Sequence, residues 1–424
     1  MLNLKFIQDN PELVIDKLKR KNFDASEIVS TIIDLYAQKN KLQGQADQAK
    51  AEMNKISKDI GLLFREGKQE EANAAKARTS ELKENIKQFD VDFADIEAKV
   101  NDLLVQLPNL PHDSVPQGKG EEDNEVITSV GEIPTLHEKA LPHWELAQKY
   151  NLIDFELGVK LTGAGFPVYR GKGAQLQRAL INFFLAEAAK AGYEEVQPPL
   201  VVNEDSGFGT GQLPDKEGMM YHITAENLYL IPTAEVPVTN IYRDVILDAK
   251  DLPYKNTAYS ACFRREAGSY GKDVRGLNRL HQFDKVEVVQ IAHPDKSYEV
   301  LNEMVKHVTG LVEKLGLPYR ILRLCGGDIS FTSALTYDFE VYSAAQKKWL
   351  EVSSVSNFES FQANRLKLRF REDGVKKPQL AHTLNGSALA LPRIVAALLE
   401  NNQTPEGIKI PDVLVPYTGF EIID

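Results

Sequence analysis

The sequence predicts an α+β protein in which a long antiparallel helical hairpin, a coiled coil, precedes a large and mainly antiparallel sheet with flanking helices. Three observations favour this fold class. Between Phe23 and Leu104 there is no proline, and the apolar residues follow a coiled-coil spacing. A proline-rich segment then ends the helical pattern. Beyond it, many short strand-like runs occur with helices at intervals.

The hairpin is predicted from two apolar series whose members are spaced alternately four and three residues apart, as in the seam of a coiled coil. The first series is Leu42, Ala46, Ala49, Met53, Ile56, Ile60 and Leu63, and the second is Ala75, Thr79, Leu82, Ile86, Phe89, Phe93, Ile96, Val100 and Leu103. Between them, residues 65–68 form a polar turn in which Gly67 suits a helix end. The first helix would span about 55 Å at about 1.5 Å per residue. Taken alone, the hairpin is as compatible with a dimerisation or spacer coiled coil as with a binding arm.

The hairpin is followed by a linker. Pro108, Pro111 and Pro116 prevent a helix from continuing, and residues 117–124 have the composition of a loop. We therefore predict three parts: a helical arm over residues 1–107, a linker over 108–124 and a mixed domain over 125–424.

The mixed domain shows the patterns of both element types. Helices are expected over residues 174–191, 296–315 and 387–401. Strands are expected over residues 193–202, 227–231, 258–264, 286–291, 319–324, 337–341 and 350–354. Pro198 and Pro199 interrupt the first of these strands.

The composition restricts the function classes. The net charge of −11 argues against nucleic-acid binding by the whole surface, although it does not exclude a local basic face. Two cysteines and eight scattered histidines form neither a disulfide framework nor a recognisable zinc site, so we expect no zinc. No apolar run approaches the length of about 18 residues that spans a bilayer, so we expect a cytoplasmic protein with no membrane partner.

The sequence contains neither a Gly-x-x-x-x-Gly-Lys-Ser/Thr loop nor a Gly-x-Gly-x-x-Gly motif between a strand and a helix. We interpret the glycine-rich residues 207–211 as a structural loop. Arg264 and Glu266 lie two residues apart, so on a strand both would point to one face. An arginine placed there can hold a phosphate or carboxylate with two parallel hydrogen bonds. The alternative for an isolated pair of this kind is a salt-bridged surface hairpin.

Three further clusters combine acids, hydroxyls and an arginine. Thr233 and Glu235 lie two residues apart, and Glu351 is followed by three serines before Asn357, which could provide oxygen ligands for magnesium. Residues 385–387 are expected to precede the last helix, with Arg393 one and a half turns into it, an arrangement suited to an anionic ligand. Each cluster alone is also explained by an ordinary strand end, turn or helix cap.

Taken together, three segments resemble the signature motifs of class II aminoacyl-tRNA synthetases. Residues 174–199 resemble motif 1, the dimer-interface helix and strand, residues 263–287 resemble motif 2, and residues 385–393 resemble motif 3. Within that class, the chain resembles the seryl-tRNA synthetases over essentially its whole length. The specific matches are Thr233-Ala-Glu235, Arg275-Gly-Leu-Asn-Arg-Leu-His-Gln-Phe283, Glu351-Val-Ser-Ser354, His382-Thr-Leu-Asn-Gly-Ser387 and the Pro-His-Asp-Ser-Val-Pro linker.

The resemblance implies a class II synthetase-type antiparallel sheet, a homodimer, and the activation of L-serine by ATP and Mg²⁺ before transfer to tRNA(Ser); it leaves open whether tRNA(Sec) is also serylated. It implies a serine pocket of Thr233, Ala234, Glu235, Glu287 and Ser387. The implied ATP site contains Arg264, Arg265, Glu266, Glu351, Val352, Ser353, Ser354 and Arg393, with Arg264 and Arg393 as the catalytic pair at the α- and γ-phosphates and Glu351 and Ser354 at the metal. Candidate tRNA contacts on the arm are Lys50, Lys55, Lys58, Arg65, Lys68, Lys76 and Arg78.

Two alternatives and a few departures from the family pattern accompany this interpretation. A related ligase that charges a carrier protein would lack the long arm. A non-catalytic scaffold or tRNA-binding paralogue would have lost the polar site residues. In motif 3, Ala388 and Pro392 stand where glycine is expected, and Val355 stands where the family often has cysteine. Ala388 adds only a methyl group, and proline is tolerated early in a helix.

Overall fold

The computed structural model describes residues 1–215, 218–266 and 275–424. The chain divides into two compact units, one made of Met1–Lys19 and Phe23–Pro108 and the other of Arg20–Asn22 and Asn109–Asp424.

The first unit is helical. Its helices are α1 (Leu4–Asp9), α2 (Pro11–Lys19), α3 (Ser26–Arg65) and α4 (Gln69–Leu104). The 40 residues of α3 correspond to a length of about 60 Å. All residues of the two predicted apolar series are buried or half-buried, whereas most residues between them are exposed. Ion pairs between Lys39 and Glu97 (3.0 Å) and between Arg78 and Glu52 (2.8 Å) connect the two helices in antiparallel register. The predicted coiled-coil hairpin is confirmed.

The turn between α3 and α4 lies where the polar residues predicted it. Gly67 adopts a left-handed φ of +76°, a conformation that costs other residues free energy because their Cβ meets the backbone. The backbone N–H groups of Gly67 and Lys68 donate to the carbonyl groups of Phe64 and Leu63, at 3.3 and 3.0 Å. These bonds satisfy carbonyl groups that the last turn of α3 leaves free.

The second unit is built on an eight-stranded sheet with the order β1-β11-β12-β13-β16-β10-β9-β4, in which only the β4–β9 pair is parallel. The strands of this sheet are β1 (Glu125–Val130), β4 (Glu194–Glu195), β9 (Tyr254–Phe263), β10 (Gln282–Ala292), β11 (Tyr319–Arg323), β12 (Leu335–Ser343), β13 (Lys348–Asn357) and β16 (His382–Ala390). Shorter strands form small separate sheets: β2 (Ile153–Asp154), β3 (Val168–Tyr169), β5 (Val201–Asn203), β6 (His222–Ile223), β7 (Leu228–Leu230), β8 (Ile246–Asp248), β14 (Arg369–Arg371), β15 (Gln379–Leu380), β17 (Ile408–Lys409) and β18 (Ile422–Ile423). The helices are α5 (His143–Lys149), α6 (Phe155–Leu161), α7 (Gly171–Lys190), α8 (Glu204–Thr210), α9 (Glu235–Asn240), α10 (Ser297–Lys314), α11 (Ser360–Leu366), α12 (Leu391–Asn401) and α13 (Val415–Thr418).

One face of the large sheet packs in the main core, and the other face carries polar residues that line a cavity. Val286 and Val288 of β10 and Val355 of β13 pack with apolar residues of α7, α10 and α12. Successive side chains of a strand point to opposite faces. Lys285 and Glu287 therefore point away from this core.

The predicted α+β class with a large antiparallel sheet is confirmed, but four local predictions were wrong. Residues 207–211 do not form a loop, because the Asn203 side chain caps the first turn of α8 and Gly211 ends it with a φ of +91°. The strand expected over residues 193–202 is reduced to β4 and β5 on either side of the two prolines, which cannot donate to a ladder.

The other two wrong predictions lie in the segments that resemble motifs 2 and 3. Strand β9 ends at Phe263, so Arg264 and Glu266 are not strand neighbours on one face, and Glu266 has a φ of +47°. Residues 385–387 lie inside β16, where Gly386 pairs with both Val355 and Val288; this pairing overrides the turn propensity of Asn-Gly-Ser. Helix α12 consequently begins at Leu391 and Arg393 lies in its first turn, not one and a half turns in.

None of the helices within the described ranges combines the length and the apolar character needed to span a bilayer.

Candidate active site

A cavity of about 530 Å³ opens on the polar face of the large sheet. Most of the site residues predicted from the sequence line it: Thr233, Glu235, Arg264, Glu266, Glu287, Glu351, Val352, Ser353, Ser354, Ser387 and Arg393. They come from β10, β13 and β16, from the starts of α9 and α12, and from the segment that follows β9. Segments that are far apart in the sequence therefore meet at one site.

A second cavity, of about 540 Å³, lies elsewhere in the same unit. Its walls include Trp144, Phe166 and Arg275, and none of the predicted site residues lines it. The cavity on the sheet is the better candidate because it combines buried acids, a buried lysine and two arginines.

One end of the cavity contains two buried acids and one buried lysine. The Lys285 ammonium donates to the Thr233 hydroxyl at 2.8 Å and forms an ion pair of 2.5 Å with Glu287. The exposed fractions of the Lys285 and Glu287 side chains are 7% and 2%. A buried charge of either sign requires a partner, so this pair makes the polar pocket possible.

Glu235 is the second buried acid. Burial, and then the charge of Glu287, raise the pKa of the Glu235 carboxyl group to about 7, although hydrogen bonds from Gln362 and Asn385 and the charge of Lys285 oppose the shift. The Gln362 amide donates to Glu235 at 2.6 Å. The pocket therefore holds a carboxyl group that changes its charge near neutral pH and that a bound cation would ionise.

Arg264 is held against the wall of the cavity by two contacts. Its guanidinium group lies 5.2 Å from the centre of the Phe283 ring, and its Nε donates to the Pro232 carbonyl group at 3.3 Å. The structure shows no hydrogen bond from its two terminal amino groups to any described residue. They present a fork suited to a phosphate or carboxylate.

Arg393 is fixed more firmly. Its Nε donates to the Asn278 carbonyl group at 3.0 Å and its Nη1 to the Glu351 carbonyl group at 2.8 Å. The Glu351 carboxylate lies 3.7 Å from the same Nη1. Pro392 directly precedes it at the start of α12, where a proline is compatible with a helix.

The hydroxyl-rich strand β13 contributes in two ways. The buried Ser353 hydroxyl donates to the Ser387 carbonyl group at 2.6 Å, so it joins two strands and is not free for a ligand. Ser354 lies opposite Asp338 in the neighbouring strand. Burial, and then the charge of Glu351, raise the pKa of the Asp338 carboxyl group well above its usual range. Within the described ranges, no three His, Cys, Asp or Glu side chains are arranged to hold a metal ion.

Two predicted site residues do not line the cavity. Ala234 is fully buried in an apolar cluster with Val238, Ala258 and Val289, so its methyl group supports the pocket from behind. Arg265 is exposed, and its backbone N–H donates to the Met219 carbonyl group at 2.8 Å. The loop predicted between the two halves of motif 2 includes residues 267–274, which lie outside the described residues.

Glu266 lines the cavity but is already paired, because the Arg279 Nε donates to its carboxylate at 2.5 Å. This contact was not predicted from the sequence.

On the helical arm, several candidate tRNA contacts already have acidic or aromatic neighbours. Lys50 lies 3.8 Å from Asp90, Lys68 lies 3.0 Å from Glu66, Arg78 pairs with Glu52 and Glu81 at 2.8 Å, and Lys76 lies 4.7 Å from the centre of the Phe64 ring. Lys55, Lys58 and Arg65 are exposed. All of these pairs are at the surface, where such contacts contribute little and can be exchanged for phosphate.

Sequence reasoning missed several residues of the cavity, including Asn278, Phe283 and Lys285. A signal existed for Lys285 and Phe283: they lie two and four residues before Glu287, and so share its face of a strand. Asn278 has no comparable signal, because it lies outside the strands and helices and reaches the cavity only through tertiary contacts.

Comparisons with known proteins agree with this geometry. Residues 1–111 match the family model of the seryl-tRNA synthetase N-terminal domain, and residues 221–402 match that of the tRNA synthetase class II core domain (G, H, P, S and T). The serine–tRNA ligase of Salinibacter ruber is 52% identical over 421 residues, covering 99% of this chain and 98% of that protein. That of Akkermansia muciniphila is 46% identical, covering 100% and 99%.

Solved structures show the same relationship. The seryl-tRNA synthetase of Pyrococcus horikoshii, complexed with ATP, superposes with a TM-score of 0.95 at 34% identity, covering 100% of this chain and 99% of that one. The cytoplasmic serine–tRNA ligase of Naegleria fowleri, in complex with AMP, has a TM-score of 0.89 at 26% identity and the same coverage.

Proposed function

Because the chain belongs to the seryl-tRNA synthetase family, we propose that the cavity on the large sheet is the site where it joins serine to ATP. The enzyme activates L-serine with ATP and transfers the serine to tRNA(Ser). A ligase that serves a carrier protein is not favoured, since residues 1–111 match the N-terminal domain of the tRNA-charging family. The observation that carries the proposed site is the meeting of Arg264, Lys285 and Glu287 with the start of α12 around one cavity.

Serine would lie at the acidic end of the cavity. Its ammonium group requires a carboxylate, and its hydroxyl group requires a donor or acceptor that is otherwise unsatisfied. Glu235 and Glu287 supply the acids, and Thr233 and Ser387 supply hydroxyl groups. Alanine lacks the side-chain hydroxyl group, so it would leave the buried group that pairs with this hydroxyl without a partner, which is the physical basis for rejecting it.

ATP would lie between the two arginines. The relative from P. horikoshii was solved with ATP, which supports a nucleotide in the corresponding site here. Arg264, whose terminal amino groups donate to none of the described residues, would bind the α-phosphate, and Arg393 would bind the γ-phosphate. Glu266 would lie on the adenine side, where its pairing with Arg279 restricts its orientation.

Glu351 and Ser354 would hold Mg²⁺ together with the phosphates. The residues fit such an ion: both are oxygen donors, and the adjacent Asp338 has a buried carboxylate oxygen with no hydrogen-bond partner among the described residues. The ion, when bound, would supply positive charge to the phosphate oxygens.

The first step follows from this arrangement without a protein nucleophile. A carboxylate oxygen of serine attacks the α-phosphorus of ATP, a new O–P bond forms, and the bond to the bridging oxygen breaks to release pyrophosphate. Arg264 aligns the two anions and neutralises charge on the α-phosphate oxygens. In the second step, a hydroxyl group of the terminal ribose of tRNA attacks the serine carbonyl group, and AMP leaves.

The helical arm would bind tRNA. Its exposed cations, among them Lys55, Lys58 and Arg65, would contact phosphates of the tRNA backbone. Because the net charge of the chain is −11, binding to tRNA requires a local basic surface of this kind.

We also propose that the enzyme is a cytoplasmic homodimer that pairs through the motif 1 elements α7 and β4. Sedimentation equilibrium would test the dimer, and a monomer at micromolar concentration would refute it.

The proposed site is tested by pyrophosphate exchange into ATP with a panel of amino acids. Wild-type enzyme should show exchange with serine and not with alanine or threonine. Glu287→Gln should raise KM for serine with little effect on KM for ATP, and Arg264→Ala should reduce kcat. Glu406→Gln, an exposed and distant change of the same chemistry, is the control. If Glu287→Gln and Arg264→Ala both behave like the control, the cavity is not the site.

A further inference from the structure

A ring of polar groups, two of them completely buried, lies next to the cavity, outside the residues assigned to substrates. It contains His143 at the start of α5, Glu400 near the end of α12, and Gln346. His143 and Glu400 are completely buried, and the His143 Nδ1 lies 2.7 Å from a Glu400 carboxylate oxygen. Two buried ionisable groups that the proposed chemistry does not use require an explanation.

The hydrogen bonds fix the protonation state of the histidine. The backbone N–H of Leu277 donates to the His143 Nε2 at 2.8 Å, so Nε2 is an acceptor and carries no hydrogen. The Nδ1 therefore carries the hydrogen and donates it to Glu400. Glu400 also accepts from the His143 backbone N–H at 2.9 Å, from the Gln346 amide at 3.0 Å and from the Ser343 hydroxyl group. A neutral histidine is thus held in one tautomer and one orientation.

The ring connects to the cavity through residues 277 and 278. The Asn278 side-chain amide donates to Gln346 at 2.9 Å, and Leu277 is held by His143. The Asn278 carbonyl group in turn accepts from the Arg393 Nε at 3.0 Å. Glu400 therefore reaches Arg393 by two routes, one through His143 and Leu277 and one through Gln346 and Asn278.

The main chain at Gly276 packs too closely against His143 to admit a larger residue. A Cβ atom on Gly276 would lie 2.2 Å from the His143 Nε2, and Gly276 has a φ of +67°. Only glycine satisfies both conditions, so the main chain lies directly against the imidazole ring.

We infer that His143 and Glu400 are positioning residues that set the orientation of the Arg393 guanidinium group for the phosphates of ATP. This inference rests on the proposed role of Arg393. The competing explanation is that the ring only stabilises the packing of α5 against α12, without any specific effect on ATP.

Two isosteric variants separate these explanations. The Gln side chain in His143→Gln places its amide near the Nε2 position and can still accept from Leu277, whereas that in His143→Asn places its amide near Nδ1 and can donate only to Glu400. We expect His143→Asn to raise KM for ATP about tenfold in serine-dependent pyrophosphate exchange, because the Leu277 N–H is left unsatisfied and residue 278 shifts. KM for serine should change less than about twofold, and His143→Gln should stay within about threefold of wild type for ATP.

Equal losses in the two variants, or equal effects on both substrates that follow the fall in Tm, would overturn the inference. Arg393→Ala is measured in parallel. If it leaves KM for ATP unchanged, the proposed role of Arg393 is wrong; if it raises KM for ATP while His143→Asn does not, only the positioning inference is wrong.

If the histidine variants do not fold, Gln346→Met distinguishes the two explanations. Gln346 is only half-buried, so its replacement should disturb folding less. This change removes the acceptor for Asn278 and a donor to Glu400. A rise of about threefold in KM for ATP, with KM for serine unchanged, supports positioning, and an unchanged KM for ATP refutes it.

Discussion

We expect serine activation to depend on pH, because the carboxyl group of Glu235 is a proposed partner of the serine ammonium group. Its pKa of about 7 in the free enzyme means that it is largely protonated at pH 6 and largely ionised at pH 7.5. A neutral carboxyl group cannot form an ion pair with the ammonium group of serine, so serine binding must release a proton at low pH. kcat/KM for serine reports the free enzyme and should therefore rise with pH.

The size of the effect follows from the ionised fraction. With a pKa of about 7, that fraction is about one eleventh at pH 6 and about three quarters at pH 7.5, so kcat/KM for serine should rise about eightfold over this interval. Glu287 lies nearby but is already paired with Lys285 at 2.5 Å, so Glu235 should dominate the profile. The assay is serine-dependent pyrophosphate exchange at saturating ATP and Mg²⁺.

Glu235→Gln is the informative variant, because the amide keeps the size of the side chain and can still accept from Gln362. It should lower kcat/KM at all pH values and flatten the profile, whereas the control Glu406→Gln should retain the eightfold rise. A profile in Glu235→Gln as steep as that of wild type, or a wild-type kcat/KM that falls with pH, would refute the reasoning.

The raised pKa of Glu235 also predicts that the stability of the protein depends on pH. A carboxyl group with a folded pKa of about 7, above the unfolded value of about 4.5, binds its proton more tightly in the folded state. Ligand-free wild type should therefore lose about 3 kcal/mol of unfolding free energy as the pH rises from about 4.5 to about 7. Glu235→Gln should lack this loss, so its Tm relative to wild type should be higher at pH 8 than at pH 5.

Three further predictions test other parts of the molecule. Lys285→Met should destabilise the protein by about 3–5 kcal/mol because it leaves Glu287 buried without a partner, and adding Glu287→Gln should restore more than half of the loss in chemical denaturation. Residues 41–95 can be replaced with a short glycine linker, because the ion pair between Lys39 and Glu97 brings the two helices together just outside this range. This variant should retain pyrophosphate exchange and lose tRNA charging. Loss of exchange in a folded variant would contradict the assignment of serine activation to the second unit and of tRNA binding to the arm. Gly67→Ala should destabilise the hairpin by about 1 kcal/mol because of its left-handed φ, whereas Gly61→Ala, near the end of α3 with open space around it, should be neutral or stabilising in thermal unfolding.

The hairpin of α3 and α4 was predictable because it depends on local pattern. A four-and-three spacing over many turns specifies both the seam and the faces, and Gly67 with its polar neighbours specifies the turn. Strand β10 was predictable for a related reason: the apolar residues Val286 and Val288, which pack in the main core, alternate with the polar residues Lys285 and Glu287.

Predictions failed where distant segments decide the local structure. Asn385-Gly-Ser387 has the composition of a turn, but pairing with β10 on one side and β13 on the other makes it part of strand β16. The glycines of residues 207–211 suggested a loop, but a cap from Asn203 keeps them helical. Lys285 was missed because a lysine at 5% exposure is uncommon, and only its contacts with Thr233 and Glu287 explain it.

The position of Arg265 could not be predicted from the motif. It lies between two cavity residues, Arg264 and Glu266, yet it is exposed and does not line the cavity. Adjacent positions point in different directions once the strand ends at Phe263.

A crystal structure of the enzyme with a non-hydrolysable analogue of seryl-adenylate tests the assignment of the cavity most directly. We expect the amino group of the analogue within hydrogen-bonding distance of Glu235 or Glu287, and its phosphate mimic against the guanidinium group of Arg264. Density for the analogue in the second cavity, beside Trp144 and Arg275, with the cavity on the sheet left empty, would contradict the account.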